Sequence, residues 1–158
     1  MAERSQSPLH LPGEVFRWPV RIYWEDTDAG GIVFYANYLK FFERSRTEWL
    51  RSSGVEQQQL RESTGGMFVV VETSIRYHRP ARLDDELIVT ASMIEKGRAS
   101  LIIGQQALLK SEHDAKLVAS PSLSLLCEGR IKIGWVDAAT MRPARIPDSI
   151  VSRLRTPI

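Results

Sequence analysis

The sequence predicts an α+β fold: one antiparallel sheet of five or six strands wrapped around a single long helix. Three observations carry this. A period-two segment near the start gives way to one long helical stripe, and strand-like segments fill most of the remainder. The connections between those segments are short, which favours antiparallel pairing. A helix that is apolar along a broad stripe also needs a sheet to bury it.

Residues 1–16 show no periodicity and carry Pro8 and Pro12, so they read as a flexible N-terminal arm ahead of a single domain over 17–155. Val20, Ile22 and Trp24 alternate with Arg21, Tyr23 and Glu25, the pattern of a half-buried strand. Asp26-Thr27-Asp28-Ala29-Gly30-Gly31 is turn chemistry. From about 33 to 53 the period becomes helical: Tyr38, Phe41, Phe42, Ser45 and Trp49 share a stripe that Lys40, Glu43, Arg44 and Arg51 avoid. Gly54 is placed to stop this helix, and a short second one over 55–62 is closed by Gly65-Gly66. Strands are predicted over 67–77, 86–95, 99–110, 116–127 and 131–136, and a last short helix over 147–155.

Composition bounds the function. A chain of 158 residues is one domain's worth, and 43% hydrophobic with 25% charged residues is ordinary for a globular protein. The 21 basic and 19 acidic residues leave a formal charge of +2, too weak a field for a dedicated nucleic-acid binder. No run approaches the ~18 apolar residues of a membrane span, and residues 1–13 contain no apolar signal-peptide core. Cys127 is the one cysteine, so no intramolecular disulfide forms; its apolar neighbours Leu125 and Leu126 suggest a buried structural thiol. These features together lead us to expect a cytoplasmic protein.

The informative stretch runs from Val20 to Tyr38. It sets a carboxylate in a Gly-rich turn between a strand and a helix start. Free backbone N–H groups and the positive end of the helix dipole lie at such a start and suit developing negative charge. A base or nucleophile beside an oxyanion site is what acyl transfer needs. Spacing alone leaves other roles open. Asp26 or Asp28 could simply cap the turn or the helix. Asp-x-Asp after an apolar strand also occurs in phosphatases that form an aspartyl-phosphate, but those want Thr or Val where this chain has Gly30, and a parallel sheet behind. A calcium loop would want an acid at position 30 and Glu near Asn37.

The same stretch resembles the signature of the 4-hydroxybenzoyl-CoA thioesterase family: Arg21-Ile22, Thr27-Asp28, Gly31, Ile32-Val33, Phe34-Tyr35 and Asn37. Beyond it, residues 41–48, 77–85 and Met141-Arg142-Pro143-Ala144 are similar to the Tol-Pal-associated acyl-CoA thioesterase branch, so the resemblance spans about 18–151. It implies the hot-dog fold and homodimers or homotetramers with active sites at the subunit interface. It implies Asp28 as the catalytic carboxylate, with Gly31 and Asn37 in the same motif. The backbone N–H of Tyr35 becomes the oxyanion donor. Members of the Tol-Pal branch often carry His where this chain has Tyr35, and Tyr there is similar to the hydroxybenzoyl branch. The implied substrate is an acyl-CoA, or an acyl carrier protein thioester, with no cofactor and no metal. Asp28 then acts as general base on a water or as nucleophile on the thioester carbonyl.

Coenzyme A carries phosphates, so basic residues are expected near the site mouth, with Arg98, Lys96, Arg79 and Arg82 as candidates. Asp26 reads as a structural turn acid, Asn37 as a side chain that fixes the helix start, and Glu43 as a solvated or subunit-contact charge. His10, His78 and His113 lie outside the motif, and no His accompanies Asp28 as dehydration on this fold would require. The alternative function is a non-hydrolytic module that binds acyl groups or acyl carrier protein. A carboxylate beside an oxyanion site favours the enzyme.

Overall fold

A computed structural model describes residues 15–110 and 125–154. Five strands, β1 (Phe16–Arg21), β2 (Gly66–Tyr77), β3 (Glu86–Lys96), β4 (Ser100–Lys110) and β5 (Leu125–Asp137), form one sheet in the order β1-β3-β4-β5-β2. Every neighbouring pair is antiparallel. The long helix α1 (Asn37–Ser52) packs on β1, β3 and β4, and two shorter helices follow, α2 (Gln57–Thr64) and α3 (Asp148–Val151). α2 lies against β2. This is the predicted architecture, at five strands among the described residues.

The period-two and helical stripes meet in a single core. Phe41, Phe42, Tyr38 and Trp49 from α1 pack with Leu87, Val89, Leu101, Ile103, Ile131 and Ile133 from the sheet. At about 25 cal/mol per Å², burying a side chain of this size contributes roughly 2–3 kcal/mol. Ser45, fully buried in the stripe, donates its hydroxyl to Val89 O at 2.9 Å. Arg46 is buried too, and its Nη1 donates to Gln105 Oε1 at 2.9 Å. Gln105 Nε2 donates in turn to Phe42 O and Thr90 O, both at 3.0 Å. A polar network therefore crosses the helix–sheet seam.

Three expectations change. The first strand was predicted to carry Trp24 inward, but it ends at Arg21 and Trp24 is 79% exposed. Asp26 Oδ2 accepts the Tyr23 N–H at 2.8 Å and closes a 3-10 turn over Trp24–Asp26, which swings Trp24 out and Asp26 in. The break predicted at residues 128–130 is absent, because β5 runs unbroken through Gly129. That glycine marks a close approach: a Cβ there would sit 3.1 Å from Phe42 Cε2 of α1. Of the strand predicted over 116–127, residues 116–124 lie outside the described residues, as do residues 1–14 of the predicted arm. Lastly, α1 begins at Asn37, because residues 32 and 33 are held in bridges to the β2–β3 connection and to Thr27.

Candidate active site

The turn that carries Asp28 is a minimal hairpin. Thr27 bridges Val33, the Asp28 N–H donates to Ile32 O at 2.8 Å, and the Phe34 N–H donates to Asp26 O at 3.0 Å. Gly31 closes it at φ 78°, a left-handed value that a side chain would strain. The carboxylate of Asp28 is exposed in the single chain and accepts the Gly30 N–H at Oδ1, 2.8 Å away. This Asx-type bond fixes the side chain on the turn and leaves Oδ2 uncommitted among the described residues.

The other acid of the pair is tied down. Asp26 is 7% exposed, with its carboxylate on the Tyr23 amide and its carbonyl shared by Phe34 N–H and Asn37 Nδ2, the latter at 2.8 Å. Asn37 thereby anchors the first residue of α1 to the turn. Ala36 caps that helix with no side-chain bond. Among the described residues no group accepts from the amides of Tyr35 or Ala36. Two free N–H groups at the positive end of a helix make an anion-stabilising site.

Aromatic side chains brace this helix start from the sheet side. The Tyr77 hydroxyl, at the end of β2, donates to Tyr35 O at 2.9 Å. Its ring meets those of Tyr35 and Tyr38 edge-on, with centroids 6.1 and 5.7 Å apart. The Tyr38 hydroxyl accepts the Ala81 N–H at 3.1 Å, while Ala81 O accepts from Val33 N–H at 2.9 Å. Burial pushes both Tyr38 and Tyr77 above the ordinary phenol value. Phe34, Tyr35 and Tyr77 still present half-exposed faces beside the turn.

The structure divides the four basic candidates. Arg82 bridges Ile32 and lies directly against the Asp28 turn, while Arg79, on the same β2–β3 connection, has its amide bonded to Leu126 O of β5. Lys96 and Arg98 lie at the β3–β4 hairpin, at the opposite end of β3 from Asp85, whose carbonyl accepts from Ile22. Eleven residues of strand put about 35 Å between those ends. One chain therefore does not bring Lys96 and Arg98 together with Asp28. Glu43 is exposed and accepts from the Thr47 hydroxyl. His78 is paired with Glu128 at 2.7 Å, while His10 and His113 lie outside the described residues. Among the described residues no three His, Cys, Asp or Glu side chains are grouped to hold a metal ion. No helix there is long and apolar enough to cross a membrane. Cys127 is fully buried, and desolvation pushes its thiol up to about 12.

Sequence reasoning missed Tyr77, Tyr38 and Gln105 as site or network residues. Tyr77 sits 42 residues from the carbonyl it binds, so no local pattern points to it. Its place at the head of the family-like segment 77–85 is the available signal.

Comparison with known proteins places the chain in a family. Residues 22–154 match the family described as the Thioesterase-like superfamily. The acyl-CoA thioester hydrolase YbgC of Escherichia coli O6:H1 is 38% identical over 141 residues, covering 89% of this chain and 96% of that protein. The acyl-CoA thioesterase YbgC of Haemophilus influenzae is 37% identical over 135 residues, covering 85% and 90%. Among solved structures, a probable thioesterase from Bartonella henselae superposes with a TM-score of 0.73 at 28% identity, over 84% of this chain and 99% of that one. A 4-hydroxybenzoyl-CoA thioesterase mutant complexed with 4-hydroxybenzoyl-CoA superposes with a TM-score of 0.76 at 16% identity, over 88% of this chain and 97% of that one, a likeness of the hot-dog fold.

Proposed function

The chain belongs to the Thioesterase-like superfamily, and on that premise we propose that it hydrolyses acyl-CoA thioesters, with Asp28 as the reacting carboxylate. The observation that carries this reading is the pairing of an uncommitted carboxylate oxygen on the hairpin with two unbonded amides at the start of α1. Asp28 takes the proton of an attacking water or attacks the thioester carbonyl itself. Both routes put negative charge on the carbonyl oxygen, and the Tyr35 N–H is its donor. Coenzyme A leaves as a thiolate of pKa near ~8.5, so no strong general acid is required. Gly31 supplies the left-handed turn, and Asn37 holds the helix start to it.

Arg82, beside the turn, and Arg79, on the same connection, are the proposed contacts for coenzyme A phosphates. The reading includes a homodimer or homotetramer with the site near the subunit seam. Asp28 and Tyr35 are exposed in the single chain, and among the described residues β2 is paired on one side only, with Val70, Val71 and Tyr77 half-exposed. Antiparallel self-pairing of β2 about Ser74 sets Glu72 of each copy opposite Arg76 of the other. Lys96 and Arg98 join the site only if a second subunit delivers them. A cytoplasmic setting fits the lone buried thiol.

The test is thiol release from short, medium, long and aromatic acyl-CoAs, followed with a chromogenic thiol reagent for wild type and Asp28→Asn. The variant loses turnover by two orders of magnitude or more at an unchanged melting temperature. Near-normal turnover in the variant rejects Asp28. Absence of release from every thioester in the wild type selects a non-hydrolytic acyl-binding module instead. Light scattering of the purified protein reads the subunit count.

A further inference from the structure

We infer that Tyr77 is a positioning residue for the reaction, its hydroxyl holding the peptide at the start of α1 in the orientation that presents the oxyanion amides. The inference rests on the thioesterase reading above and names the part of β2 on which that site depends.

Two sets of bonds fix the helix start. From the hairpin side, Asp26 O takes the Phe34 N–H and Asn37 Nδ2, which secures the residues on either side of Tyr35 and Ala36. Neither bond touches the peptide that joins those two. That peptide has one side-chain partner among the described residues, the Tyr77 hydroxyl, which donates to the Tyr35 carbonyl at 2.9 Å. In a trans peptide the carbonyl and the following N–H point in opposite directions. A tie on the carbonyl therefore fixes where the Ala36 N–H is aimed, and limits rotation of the preceding peptide that carries the Tyr35 N–H. A carbonyl that accepts a hydrogen bond also polarises its own amide, making that N–H a better donor.

The donor is itself pre-organised. Tyr77 ends β2, and its ring is held edge-on between Tyr35 and Tyr38. Tyr38 is buried and bonded to Ala81 at the foot of the loop that also holds Val33. Little rotamer freedom remains for the phenol to lose when charge develops at the amides. Among the described residues β2 is also a sheet edge paired on one side, so whatever pairs there bears on the strand that delivers this hydroxyl.

Tyr77→Phe removes the hydroxyl and keeps the ring; Tyr77→Leu removes both. With an acyl-CoA that the wild type hydrolyses, positioning by the hydroxyl predicts that Tyr77→Phe lowers kcat by about 3- to 12-fold, the factor one neutral hydrogen bond is worth. KM stays within about twofold and the pH profile keeps its shape, since no titrating group of the reaction is lost. Tyr77→Leu shares most of that kcat loss. In spectra of carbonyl-labelled tyrosine, the Tyr35 resonance moves in Tyr77→Phe. If Tyr77→Phe turns over like wild type, or only Tyr77→Leu is impaired, the residue merely packs and the inference is overturned. A parallel rise in KM with unchanged kcat overturns it as well. Asp28→Asn runs beside these variants: if it is inactive while Tyr77→Phe is normal, only the positioning role falls. If it is fully active, the Asp28 assignment falls, and Tyr77→Phe still decides the positioning role. If the wild type releases no thiol from any acyl-CoA, the thioesterase reading falls and the positioning role with it.

Discussion

Gln105→Leu tests whether the polar network at the helix–sheet seam holds α1 to the sheet. Gln105 is 2% exposed and makes three bonds, accepting from Arg46 and donating to Phe42 O and Thr90 O. Leucine is close in volume, so the cavity term is small and polar loss dominates. A bond to a charged group contributes about 1.5–3 kcal/mol and each neutral one about 0.5–1.5. Arg46, 8% exposed and with burial already lowering its pKa, is left as a buried cation without its acceptor. Extra apolar burial by leucine returns about 1 kcal/mol. The net cost is about 3 kcal/mol, which in a domain of this size lowers the melting temperature by roughly 6–12 °C. Thermal unfolding followed by circular dichroism measures it. Arg46→Met/Gln105→Leu should recover at least half of the loss, because replacing both polar partners removes the orphaned charge. A single variant within about 1 °C of wild type, or a double variant less stable than the single, refutes the reasoning.

Two further perturbations read the core. Gly66→Ala places a Cβ 2.3 Å from Trp135 Cζ2, and that ring is 3% exposed and edge-on to Phe68. Overpacking of about 1–3 kcal/mol should show as a lower urea midpoint at an unchanged slope; an unchanged midpoint would mean that the ring moves freely. The Cys127 thiol keeps its proton in the folded chain to about 12, whereas an ordinary thiol releases it near 9.0. The unfolded state therefore sheds the proton first as pH rises, and stability falls above pH 9 by about 1.4 kcal/mol per unit until about 12. Cys127→Ala flattens that alkaline slope, and the native thiol stays inert to a chromogenic thiol reagent at pH 8 until denaturant is added. Prompt labelling of the native protein would contradict the burial.

The residues themselves determined the architecture. Alternation placed Val20 and Ile22 inward, the 3.6-residue stripe found the buried face of α1, and short connections between strand-like segments required antiparallel neighbours. The Gly-rich turn before the helix was equally plain, because a left-handed Gly31 and an Asx-bonded Asp28 are local matters of a few dihedrals. Failures came where a distant neighbour overrode a local rule. Trp24 fits the strand pattern, yet the buried Asp26 carboxylate turns the chain beneath it. Gly129 reads as punctuation, yet it is a gap left for Phe42.

Only the tertiary structure decided which basic residues share the end of the sheet with Asp28, since sequence distance says nothing of strand direction. Arg82 is 54 positions from Asp28 and lies against its turn, while Arg98 is carried off along β3. The same holds for Tyr77, whose hydroxyl reaches the carbonyl of Tyr35 only because β2 comes to lie beside the helix start. Periodicity records which face of an element is buried. The partner across the gap is set by packing, and the reacting amides take their orientation from it.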